Sequence, residues 1–175
     1  MSPLVEPIEI VDCGRFDLPD GAIPLDPRLL PCNFVSVPQQ IYPQLFRFSG
    51  ITEPRPLFVA RYQVPVDEEE VIDYAVSRQL CVGLPEELFV LAASRANLRT
   101  FPKQTLLALS GSIEYNGRSY LGVKPMLLFG KRQTLGLYQK QGGKVAKFGT
   151  GFAFLLSGRP LPKSCTCCGR PTNNP

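Results

Sequence analysis

Thr105 to Leu128 reads TLLALSGSIEYNGRSYLGVKPMLL, with Asn116-Gly117 at its centre and two long runs mirrored about it. Asn-Gly accepts positive φ at both central positions, so it favours the type I′ turn whose twist suits a two-residue β-hairpin. Such a turn sets Tyr115 opposite Arg118, Ile113 opposite Tyr120 and Leu107 opposite Met126. One face then carries Leu107, Leu109, Ile113, Tyr120 and Met126. The other carries Leu106, Ala108, Leu121, Val123 and Leu127. Both faces are partly apolar, which suits strands covered on two sides.

Downstream, in residues 131–157, Leu135 and Leu137 alternate with Thr134, Gly136 and Tyr138, and Gly142-Gly143 offers a tight turn. Residues 145–156 return as strand, so a second hairpin beside the first is expected to complete an antiparallel sheet. Upstream, Leu57 to Val64 (LFVARYQV) alternates as a strand that Pro65 stops. Asp67 and Glu70 have capping-box spacing, and Glu68, Glu69 and Glu70 place negative charge at a helix N-terminus. Val71, Ile72, Ala75, Val76 and Leu80 form the apolar stripe of that helix, and Gly83 is a natural stop. Pro85, with Glu86 and Glu87, opens a second helix running to about Ala96. The fold class expected is therefore mainly β with a small helical insertion. An antiparallel sandwich or barrel-like sheet carries two short helices, around 67–82 and 85–96.

Eleven of the eighteen prolines lie in the first 65 residues, which excludes long helices there. Short edge-like strands remain at Pro7 to Val11, Asn33 to Val37 and Leu45 to Phe48. Three parts follow: a Pro-rich arm with edge strands over 1–56, a β-rich core over 57–158, and a Cys-containing tail over 159–175. No apolar run approaches the roughly 20 residues that span a bilayer, and the N-terminus lacks the basic-then-apolar layout of a signal peptide. The chain reads as made in the cytoplasm without export and without a membrane span. Incorporation into a virion is compatible with that.

The net charge of +4 hides a strong polarity. Residues 1–98 hold seven Arg, no Lys and fourteen acids, a net −7, whereas residues 99–175 hold seven Lys, five Arg and one acid, a net +11. Such asymmetry points to nucleic acid, to an acidic surface or to a complementary copy of the same chain, unless the halves neutralise each other by folding together. On the second hairpin Lys131, Arg132, Lys140, Lys144 and Lys147 lie near Tyr138 and Phe148. Cations for phosphates and rings for bases are the components of a nucleic-acid or acidic-partner surface, and equally of an ordinary basic hairpin tip. Gly151 to Leu155 (GFAFL) is not an RNA-binding core strand, because Thr150 replaces the required basic residue and Ser157 the later aromatic. Gly142-Gly143-Lys144 is not a phosphate-binding loop, since Tyr138 and Val145 stand where Gly and Ser or Thr are needed.

The tail SCTCCGRPTNNP spaces Cys165 and Cys168 as C-x-x-C before Gly169, half of a zinc site. Completion would require Cys167, Cys13, Cys32, Cys81 or another copy. A disulfide and free thiols are the alternatives. The chain contains no His, which removes Ser-His-acid and Cys-His catalysis and His-metal sites. Asp12, Asp17, Asp20 and Asp26 lie beside Gly and Pro, as turn residues do. These observations favour a non-enzymatic structural or assembly protein that contacts copies of itself or other subunits, a virion or phage component among the assemblies that fit. A nucleic-acid-binding module using the basic half is the alternative.

Overall fold

The computed structural model describes residues 4–16, 53–93, 104–110, 113–115, 118–120, 123–128, 134–139 and 146–158. The strands are β1 (Glu9–Phe16), β2 (Arg55–Arg61), β3 (Cys81–Val82), β4 (Thr105–Leu107), β5 (Ile113–Tyr115), β6 (Arg118–Tyr120), β7 (Val123–Leu128), β8 (Thr134–Gln139) and β9 (Phe152–Ser157). Two helices, α1 (Glu68–Ser77) and α2 (Pro85–Ala93), flank β3 in the chain. The protein is mainly β with two short helices, built on an open sheet and not on a closed barrel. Its path runs β1-β2-β9-β4-β7-β8, with β3 also on β9 and β5-β6 as a separate pair.

The Asn-Gly register holds at each described pair of the central stretch. Tyr115 faces Arg118, Ile113 faces Tyr120 and Leu107 faces Met126, although the hairpin divides into β4-β7 in the large sheet and β5-β6 outside it. The second hairpin does not form. β8 pairs antiparallel with β7, while β9 inserts between β2 on one side and β3 and β4 on the other. The sequence FAFLLS explains the difference: an unbroken apolar run is suited to a central strand buried on both faces, and Ala153 to Ser157 are all buried. The alternating segment containing Leu135 and Leu137 takes the neighbouring place beside β7.

Each face of the sheet meets a helix. Ala60, Phe154, Leu156, Val82, Leu107 and Met126 project to one side and pack with Val71, Ile72, Tyr74 and Ala75 of α1. Leu57, Val59, Leu106, Ala153 and Leu155 alternate with them, are fully buried, and face the side where α2 begins. β3 and β4 run toward each other along one edge of β9, β3 antiparallel and β4 parallel to it. They meet at Leu155, whose carbonyl accepts from Gly83 N at 2.7 Å, while the Gly83 carbonyl accepts from Ser110 N at 3.0 Å.

α1 starts as its sequence predicts. Asp67 Oδ1 accepts from Glu70 N at 2.9 Å, and Glu70 Oε2 accepts from Asp67 N at 2.7 Å. It stops earlier than Gly83, after Ser77. Leu80 N donates to Ala75 O and Gln79 N to Val76 O, a Schellman closure that places Gln79 at φ 57°. A side chain in that left-handed conformation is strained where Gly is not. Gln79→Gly is expected to stabilise the protein by about 0.5–1 kcal/mol in chemical denaturation.

Candidate functional site

Of the residues assigned to a basic contact surface, Lys131, Arg132, Lys140 and Lys144 lie outside the described residues, as do Cys165 and Cys168. Tyr138 and Lys147 are described. The Tyr138 ring is half-buried and lies against Phe152 at 5.0 Å and Phe148 at 5.8 Å, centroid to centroid. Phe148 continues the stack to Phe154, and Phe154 to Tyr62 and thence Tyr74. These rings complete the core beneath α1, and the Tyr138 ring packs against them. Lys147 donates to both carboxylate oxygens of Glu70, at 3.0 and 3.2 Å. Lys124, on β7, donates to Glu68 Oε1 at 2.8 Å and to the Leu109 carbonyl at 2.6 Å. Two cations of the basic half are therefore paired with the acidic start of α1, so part of the charge polarity is satisfied within the chain.

Cys13 and Cys81, two of the cysteines considered as zinc ligands, are held apart. Their strands are separated by β2 and β9, three strand spacings or about 14 Å, too far for one tetrahedral ion. Among the described residues no group of three or more His, Cys, Asp or Glu side chains converges to hold a metal. Cys13 sits at a bulge where the register slips between Asp12 and Gly14, and Gly14 takes φ 96° as its N–H donates to Asp12 Oδ1 at 2.8 Å. Burial, with a smaller contribution from the Asp12 charge, pushes its thiol up to about 11 from 9.0. Burial also raises the Tyr62 phenol, helped by Tyr74, Glu6 and Glu70. Both groups are thus held in their protonated forms near neutrality, the opposite of what an activated nucleophile or general base needs.

A pH dependence follows for Cys13. The folded thiol keeps its proton to about 11 and the unfolded one loses it near 9.0, so the stabilising contribution is full below pH 9 and lost as pH rises through 11. At pH 8 the folded chain should hold about 100-fold less thiolate at Cys13 than the unfolded chain. Residue-resolved alkylation rates measured by mass spectrometry check this.

Comparison with family models, curated proteins and solved structures finds no match.

The open surface with the clearest contact chemistry is the edge formed by β1. Ile8 and Ile10 are exposed apolar side chains there, to 60% and 38%. Ile10 is the register partner of Ala60, and Ile8 N donates to the Arg61 carbonyl at 2.8 Å. Ile8 and Ile10 therefore extend the face of Ala60 and Tyr62 past the cover of α1. Charges border this apolar strip: Glu6 pairs with Arg78 at the end of α1, and Glu9 with Arg61. The alternation Ile8-Glu9-Ile10 marks a strand in the sequence. Its exposure is invisible there, because it depends on where α1 ends.

A second unanticipated cluster is buried. Glu87, fully inaccessible, accepts at Oε1 from Arg55 Nη1 at 3.1 Å and from Ser157 Oγ at 2.7 Å, and at Oε2 from Leu84 N at 2.8 Å. Arg55 Nε also donates to the Glu53 carbonyl at 3.1 Å. The cluster joins the first turn of α2 to β2 and β9, with the carboxylate fully engaged by donors. That is the geometry of a structural lock.

Proposed function

We propose that this protein is a non-enzymatic structural subunit that works by contact with other protein chains in a larger assembly. The observation that carries the reading is the exposed apolar pair Ile8 and Ile10 on one face of the β1 edge, bordered by paired charges of both signs. Exposed apolar side chains grouped at one edge favour a protein partner, and a mixed-charge rim suits one whose own surface carries both signs. The charge polarity of the sequence is weaker support, since Lys124 and Lys147 already meet Glu68 and Glu70. Among the described residues no helix is long and apolar enough to cross a membrane.

Light scattering over a range of concentration and salt tests the reading. The expected result is a mass above the 19.4 kDa of one chain. Ile8→Glu/Ile10→Glu should weaken that association at least about tenfold, because two charges would enter a contact that now removes apolar surface from water. A strict monomer that captures no partner would sink the proposal. Nucleic-acid affinity falling steeply with salt, with no protein association, would replace it by a binding module on the basic half.

A further inference from the structure

β1 and β2 are antiparallel neighbours, and Phe16 at the end of one is the register partner of Arg55 at the start of the other. Strands so placed are ordinarily joined by two to five residues. Here 38 residues intervene, 17–54, seven of them Pro. Such a length reaches about 125 Å when extended, against about 40 Å across a folded domain of this size. A connection of that length does not by itself fix which copy supplies the strand, and the same strand from a neighbouring copy is within reach of the place.

The joint itself is of the kind that exchanges. Five of the eight β1 residues are exposed and the other three, Val11, Cys13 and Phe16, are only half-buried, so β1 is held largely by backbone pairing and polar contacts, with Val5 of the preceding segment against the core. Those contacts are complementary across the joint. The N-terminal segment brings Glu6 and Glu9, the receiving side brings Arg78 and Arg61, and Arg15 donates to the Pro54 carbonyl at 3.0 Å. We infer that the outer edge of β2 is a docking site for the N-terminal strand of a second copy, residues 4–16 of one chain replacing those of the next by strand exchange. Exchange of an identical element makes a closed dimer with no new contact surface, and it links copies in series if the exchange is not reciprocal. The inference rests on the assembly reading and adds to it a second copy joined by strand pairing, which leaves Ile8 and Ile10 open to further contacts.

The test uses full-length chains with a photo-reactive residue in place of exposed Ile10, which would lie over Ala60. Light and heavy-isotope preparations are mixed equally, unfolded, refolded together and irradiated, and links between position 10 and the 55–61 segment are sorted by label. Exchange gives light–heavy links as often as same-label links. Same-label links alone would overturn the inference, and would leave the assembly reading standing if the solution mass exceeds one chain. A second pair of variants acts at exposed positions, one chain carrying Glu6→Arg/Glu9→Arg and the other Arg61→Glu/Arg78→Glu. Neither matches its own edge, but each matches the other's, so mixing should produce a species of twice the chain mass that neither forms alone. Its absence would count against exchange even if the wild-type chain associates.

Discussion

Arg55→Ala is expected to lower folding stability by about 3–5 kcal/mol, seen as a shift of the urea midpoint. The Arg55 side chain is 3% exposed and Glu87 is inaccessible, so removing the cation leaves a carboxylate buried without its counter-charge. Ser157 Oγ and Leu84 N still donate to it, but neutral donors do not replace the guanidinium. Glu87→Ala should also destabilise the fold, because it removes the acceptor shared by Arg55 Nη1, Ser157 Oγ and Leu84 N. The combined Arg55→Met/Glu87→Leu replacement should recover most of the loss, because a well-packed apolar pair avoids the desolvation cost altogether. If Arg55→Ala is nearly neutral, solvent reaches the cluster and the lock described above is wrong.

Gly83→Val is expected to cost about 3 kcal/mol or more, with Gly83→Ala within the 1–3 kcal/mol typical of overpacking. A Cβ at this position would stand 2.6 Å from Leu155 Cγ and 2.7 Å from its Cβ and Cδ2. Leu155 is fully buried in the central strand and cannot swing aside, and Gly83 is fixed to the Leu155 carbonyl by its own N–H. The strain should fall on the meeting point of β3, β4 and β9. Leu155→Ala combined with Gly83→Ala should therefore cost less than the two single changes added together. Additive losses would show that the clash is relieved elsewhere.

These two sites show what the sequence made legible and what it concealed. The Asn116-Gly117 pair, read as a turn in the sequence, sets an expected register through a local constraint, and the pairings found as far out as Leu107 with Met126 agree with it. The Asp67-Glu70 cap is local too, and both hydrogen bonds are present. Position in the sheet is not local: β9 pairs with residues 55–61, about a hundred positions earlier, and nothing beside Phe152–Ser157 names that partner. Gly83 read as a helix stop because helices often end in Gly, whereas its place is set by the close approach of Leu155. Glu86 and Glu87 look alike as helix-start acids, and only the three-dimensional path brings Arg55 to Glu87. The edge strip was half visible, since Ile8-Glu9-Ile10 shows an alternating strand but not which side remains uncovered.

The strand at the middle of the sheet is synthesised after the other described strands. Until Phe152–Ser157 emerges, β2, β3 and β4 lack the neighbour to which all three bind, and the ribosome needs about 5–20 s to cover the distance from β2. During that interval the growing polypeptide carries unpaired strand edges in sequences as apolar as LFVA and TLLAL. Phe152–Ser157 thus governs when the sheet closes, and a chain released before Phe152 should be prone to aggregation.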